Sequence, residues 1–222
     1  MQSKFLPVIA GLFVACLLIS NTIETKLFVA FGLTLTAGTI IFPLAYIFGD
    51  VLTEVYGYAA SRKVIWTGFA ALALMVLSYT AAIHLTPSPD WPHQSSFETI
   101  FAAAPRISLA SLLAYFTGEF VNSYIVAKMK LKSEGRHMAR RFAVSTLAGQ
   151  LVDTSVFTLA AFAFVIPHDA LLPLILSMWL VKVCWELIAL PLTIQIVKWL
   201  KRAENMDVFD RGTNFNPFRM QT

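Results

Sequence analysis

The sequence predicts an all-α integral membrane protein, with six transmembrane helices in one bundle and both termini cytoplasmic. Three observations predict it. Of the 222 residues, 57% are hydrophobic and only 14% charged, and the mean hydropathy is +0.68, too apolar for a soluble domain. The apolar residues gather into six runs near the ~20 residues that a helix needs to cross a bilayer. The basic residues gather between those runs, on one side of an even-span arrangement.

The runs lie at about 5–23, 27–49, 63–85, 107–128, 142–166 and 171–199, and residues 1–222 read as a single transmembrane domain. Only Lys4 precedes the first run. That run continues past "FVAC" (13–16) and ends without a small-residue cleavage site, so it reads as a span and not as a signal segment. Asn21, Thr22 and Glu24 close it, either as part of an entrance or as a solvated turn.

The second run carries Thr34, Thr36 and Thr39, candidate lining of a pathway, and ends in "IFPLAYIFGDVLTEVYG" (41–57). As one straight helix, 27–57 would be about 46 Å long, more than the hydrocarbon core. It therefore either emerges from the bilayer carrying Asp50, Glu54 and Tyr56, or breaks near Gly38, Pro43 or Gly49. Emerging, the two acids would be solvated and would pair with Arg62 and Lys63. "HLTPSPDWPHQSS" (84–96) parts the third and fourth runs, with Trp91 as an interfacial anchor. "KMKLKSEGRHMARR" (128–141) parts the fourth and fifth.

Lys4, Arg62, Lys63, the 128–141 cluster and the tail bases Lys198, Lys201, Arg202, Arg211 and Arg219 fall on one side, and Lys26 and Arg106 on the other. The net charge of +4 thus marks topology and not nucleic-acid binding. Cys16 and Cys184 sit within apolar runs and suggest neither a disulfide nor a zinc site; no cofactor and no metal are expected. His84, His93, His137 and His168 lie in or beside loops, without an H-E-x-x-H motif or an intramembrane Ser–His pairing, so no enzyme is expected.

The last three runs carry polar residues that lipid disfavours: Glu119 and Asn122 in the fourth, Gln150 and Asp153 in the fifth, Lys182, Trp185 and Glu186 in the sixth. Each intramembrane ionisable group costs at least about 2.5–3.5 kcal/mol on insertion scales, so such groups face the bundle interior and mark function by default. Glu119, Asp153, Lys182 and Glu186 fall near mid-bilayer in one layer, and the spacings of three and four put each pair on one helix face. Two readings stand. The layer is a solute site with carboxylates in excess, or Lys182 and Glu186 neutralise each other and the amides join helices. Tyr115 and Trp185 are placed to stack on a flat ligand.

"FPLAYIFGDVLTEVYG" with Arg62, "GEFVNS", "STLAGQLVDTSVF" and "KVCWELIALP" together resemble the queuosine precursor transporter family over about residues 20–200. The resemblance implies six helices in a bacterial inner membrane and import of 7-cyano-7-deazaguanine or 7-aminomethyl-7-deazaguanine for tRNA queuosine synthesis. It implies likeness to the substrate-binding component of energy-coupling-factor transporters, which dock a coupling subunit through small helix residues. Ala10, Gly11 and Ala15 match that pattern poorly. On this reading Glu119, Asp153 or Glu186 takes the N–H edge of the deazapurine, Gln150, Asn122 or Lys182 serves O6, and Trp185 stacks. Asp50, Glu54 and Tyr56 form a gating or structural motif. The alternative is a proton-coupled transporter or channel for another small polar or cationic solute.

Overall fold

The computed structural model describes residues 3–23, 26–30, 33–101, 105–164 and 167–219. Its elements in order are α1 (Leu6–Ile23), β1 (Leu27–Ala30), β2 (Leu33–Thr36), α2 (Gly38–Tyr56), α3 (Tyr58–Ile83), α4 (Gln94–Phe101), α5 (Pro105–Lys132), α6 (Met138–Phe162) and α7 (His168–Glu204). Of these, α1, α3, α6 and α7 are long and apolar enough to cross a membrane. The other two long helices, α2 and α5, are those that carry Asp50, Glu54 and Glu119.

Two departures from the sequence reading stand out. The run 27–49 is not one helix. Its first part pairs as an antiparallel hairpin, Leu27 opposite Thr36 and Ala30 opposite Leu33, and Ala37 N–H closes it on Lys26 O at 2.8 Å. Phe, Val and Thr favour a pleated strand over a helix here, so the fold is helical except for this ribbon. The helix therefore starts at Gly38 and keeps Asp50 and Glu54 inside it. The second departure is α4, a short helix within the stretch read as a loop; none of its residues is buried. Glu24 lies outside the described residues, as do the side chains of Thr34, Thr36, Thr39 and Arg106.

A core of Phe13, Leu17, Leu52, Val55, Ile65, Val126, Phe142, Val197 and Leu200 joins α1, α2, α3, α5, α6 and α7. It lies toward the end where the chain termini meet. Lys4 N–H and Phe5 N–H donate to Glu204 at the end of α7, at 3.0 and 2.6 Å, and Tyr56 Oη donates to the same carboxylate at 2.8 Å.

From Asn205 the tail turns back beneath α2 and α3. Val208 N–H bonds Val55 O, and both Asp210 carboxylate oxygens accept from Tyr58 N–H at 3.0 Å, capping α3. Gly57 between the two helices has φ +83°, and a Cβ there would sit 2.7 Å from Val208 Cγ1. Arg62, fully buried, donates to Asn214 O and Asn216 O at 2.6 and 3.0 Å, and Trp66 Nε1 donates to Pro217 O at 2.9 Å.

Candidate functional site

Four helices bring polar side chains into one buried layer. Asp50 on α2, Glu119 and Asn122 on α5, Gln150 and Asp153 on α6 and Glu186 on α7 are all buried. Most of their groups are engaged. Asn122 Nδ2 donates to Asp50 Oδ1 at 2.8 Å. Thr146 Oγ1 donates to Glu186 Oε2 at 2.8 Å, and Gln150 Nε2 donates to Glu186 Oε1. Lys182 Nζ donates to Asp153 Oδ2 at 2.8 Å and lies 4.4 Å from the centre of the Phe42 ring.

Glu119 differs. It is 1% exposed and neither carboxylate oxygen has a hydrogen-bond partner. Asn122 Oδ1, Gln150 Oε1 and the hydroxyls of Tyr46, Thr154 and Thr158 are buried without a partner as well. Buried polar atoms are almost always satisfied, so this cluster singles the layer out as a candidate site.

Close backbone approach makes this layer. A Cβ on Gly49 of α2 would land on Glu119 Oε1. A Cβ on Gly149 would lie 3.2 Å from Gly118 O, and one on Gly118 would lie 3.1 Å from Gly149 O, so α5 and α6 touch main chain to main chain. Beside the layer a cleft of about 470 Å³, open solvent included, is lined by Asn21, Phe42, Ser111, Tyr115, Asp153 and Lys182 among others.

Below the layer, toward the chain termini, Glu54 is fully buried and belongs to an ion cluster. Arg141 grips it with Nε to Oε2 and Nη2 to Oε1, both at 2.6 Å. Lys201 Nζ lies 2.5 Å from Oε1 and Lys130 Nζ 3.7 Å away. Asp207 of the tail bridges the two lysines at 2.5 and 2.8 Å. Of the two readings of this stretch, the one with solvated acids paired with Arg62 and Lys63 is overturned: α2 runs on to Tyr56, and Asp50 and Glu54 are buried.

The family profile described as "Putative vitamin uptake transporter" matches residues 36–196, which include every member of the layer. The chain belongs to this vitamin uptake transporter family. The "Probable queuosine precursor transporter" of Bacillus subtilis (strain 168) is 34% identical over 162 residues, 72% of this chain and 71% of that protein. The resemblance read from the motifs is therefore borne out. No solved structure gives a significant match.

Within the vitamin uptake transporter fold, the layer read from the sequence assembles around Glu119, with two changes. Lys182 pairs with Asp153 and not with Glu186, which leaves Glu186 to α6. Trp185 is turned away and 38% exposed, because at 100° per residue it points well off the face that carries Glu186. Tyr115 is at the cleft wall, with its hydroxyl donating to Ile65 O at 3.1 Å. The layer also holds Tyr46, Thr146, Thr154 and Thr158, which sequence reasoning missed. The stripe 146, 150, 154, 158 repeats every four residues on α6, and Tyr46, Asp50 and Glu54 repeat likewise on α2. Those periods were available in the sequence.

Proposed function

We propose that this protein imports queuosine precursors, 7-cyano-7-deazaguanine or 7-aminomethyl-7-deazaguanine, across a bacterial inner membrane. In this reading α1, α2, α3, α5, α6 and α7 span the bilayer as one domain, both termini are cytoplasmic, and the deazapurine binds in the polar layer. The relative named as a queuosine precursor transporter supports the substrate class. The observation that carries the reading is Glu119, a buried carboxylate with both oxygens unengaged.

The chemistry is complementary. A 7-deazaguanine presents N1–H and an exocyclic amine side by side, and one carboxylate accepts both. Charge-assisted pairs of this kind are about twice as strong as neutral ones. A site whose polar atoms wait unpaired rejects solutes that lack the matching groups. Aromatic stacking passes from Trp185 to Phe42, Tyr115 and Phe157, which line the cleft.

The two ends of the bundle differ in a way that suits an importer. The lining of the cleft includes Asn21, near the end of α1, and Ser111, in the first part of α5. The opposite end is closed by the Glu54 cluster and the folded-back tail.

The test is uptake of labelled 7-cyano-7-deazaguanine into vesicles containing the protein, with and without ATP and with and without a pH gradient. Saturable uptake that Glu119→Gln abolishes is expected, and the two conditions assign the energy source. Correctly inserted protein that transports another cationic or polar solute but neither precursor overturns the reading.

A further inference from the structure

The layer's amide and ammonium nitrogens are each already held by a carboxylate. Asn122 gives its amide N–H to Asp50, Gln150 gives its own to Glu186, and Lys182 turns its ammonium to Asp153 and the Phe42 ring. The oxygens Oδ1 of Asn122 and Oε1 of Gln150 have no partner among the described residues, and they accept and do not donate. A solute with a carbonyl beside its N–H groups needs a donor as well as an acceptor. Asn122, Gln150 and Lys182 keep further N–H groups, but each nitrogen is oriented by the carboxylate it already serves.

Tyr46 fills the gap. Its side chain is 1% exposed and its hydroxyl has no partner. The hydroxyl is aimed into the niche left by Gly118: a Cβ there would sit 2.7 Å from Tyr46 Oη and 2.7 Å from Asp153 Cβ. Asp153 lines the cleft, and so does Phe42, against which the Tyr46 ring is tilted with centroids 5.4 Å apart. Glu119 follows Gly118 on α5 and lies over Gly49, three residues after Tyr46 on the same face of α2. An unused donor and an unused acceptor thus face one seam between α2 and α5, and they do not bond each other.

We infer that Tyr46 is a specificity-determining residue of this site, its hydroxyl donating to the lactam carbonyl of the solute while Glu119 accepts the adjacent N–H groups. This rests on the deazaguanine reading above. Thr154 and Thr158, the other unpartnered hydroxyls, lie one and two turns past Gln150 toward the far end of α6 and leave the α2–α5 seam to Tyr46.

The experiment compares two probes, 7-cyano-7-deazaguanine and its 6-thioxo analogue, on the wild-type protein and on Tyr46→Phe. The analogue keeps N1–H and the amine and replaces the carbonyl oxygen by sulfur, a weak acceptor. Wild type should prefer the oxo probe by about tenfold, the range of one neutral hydrogen bond. Tyr46→Phe should lose that preference by weakening oxo binding alone. Its melting temperature should not fall, since the hydroxyl has no bond to lose. An unchanged preference in Tyr46→Phe, or equal weakening of both probes, overturns the inference and leaves the proposed function standing. Wild-type protein that binds neither probe overturns the deazaguanine reading itself.

Discussion

Gly49 and Glu119 meet across the α2–α5 seam so closely that any side chain on residue 49 would occupy the place of the Glu119 carboxylate. The glycine therefore sets where an unpartnered acid sits. Gly49→Ala should displace that acid while adding one methyl group, an overpacking cost of about 1–3 kcal/mol. Uptake of labelled precursor should fall at least tenfold while most of the protein still inserts and elutes as folded material. Wild-type uptake by Gly49→Ala would show that the carboxylate position does not matter.

Glu119→Gln separates binding from folding. The side chain makes no hydrogen bond among the described residues, so its replacement by an uncharged isostere removes a buried acid without orphaning a partner. The melting temperature in detergent should stay level or rise, and precursor uptake should be lost. A marked drop in melting temperature with uptake intact would assign Glu119 to structure.

Glu54 should behave in the opposite way. It is the shared anion of Arg141, Lys201 and Lys130, and two of these three cations are 1% exposed. Removing one member of a buried ion pair typically costs about 3–5 kcal/mol because the other charge is left uncompensated. Glu54→Gln is expected to lower the melting temperature steeply and to reduce the amount of folded protein. Arg141→Gln should do the same, and the double variant should be less than additive. Additive losses in a double-mutant cycle would refute the coupling.

Burial pushes the Asp207 carboxyl up, but hydrogen bonds from Lys130 and Lys201 outweigh it and hold the group below its ordinary value. With the folded value under the unfolded one of about 3.9, its stabilisation is fully present above that pH. It is lost as pH falls through the folded value. Melting curves from pH 7 down to about pH 3 should show Asp207→Asn less stable than wild type at neutral pH and converging with it in acid. A constant gap across that range would mean that the tail is not tied down by this charge.

Much of this was legible before any coordinates. Runs of apolar residues marked the six long helices, the second only from Gly38 onward, because a long apolar helix shows as an unbroken stretch. Glu119, Asp153, Lys182 and Glu186 could be read as one layer because their depths and faces follow from a fixed rise and turn. The hairpin at 27–36 was hidden by a composition as apolar as a span. Partner choice was hidden too: spacing put Lys182 beside Glu186, but side-chain direction gave it to Asp153 on another helix. The tail left little signal, since much of its hold on α3 uses backbone carbonyls of Asn214, Asn216 and Pro217, groups that every residue has, and the Asp210 side chain that caps α3 comes from far along the chain.

That tail gives the last prediction. Arg62 is fully buried, and the carbonyls of Asn214 and Asn216 accept from its guanidinium. Asp210 supplies both oxygens to the first N–H of α3, and Lys130 bonds Val208 O at 2.5 Å. Deleting residues 207–222 removes all of these partners together and uncovers Trp66 and Tyr58. Loss of a helix cap alone costs about 1 kcal/mol, and an orphaned buried charge costs more. The shortened protein should melt well below wild type, and trypsin should cut near Arg62 and Lys63 faster than in the full chain. Asp210→Ala, which loses only the cap, should give a small part of that loss. Equal melting of the shortened and full-length proteins would show that the tail rests on the bundle without holding it.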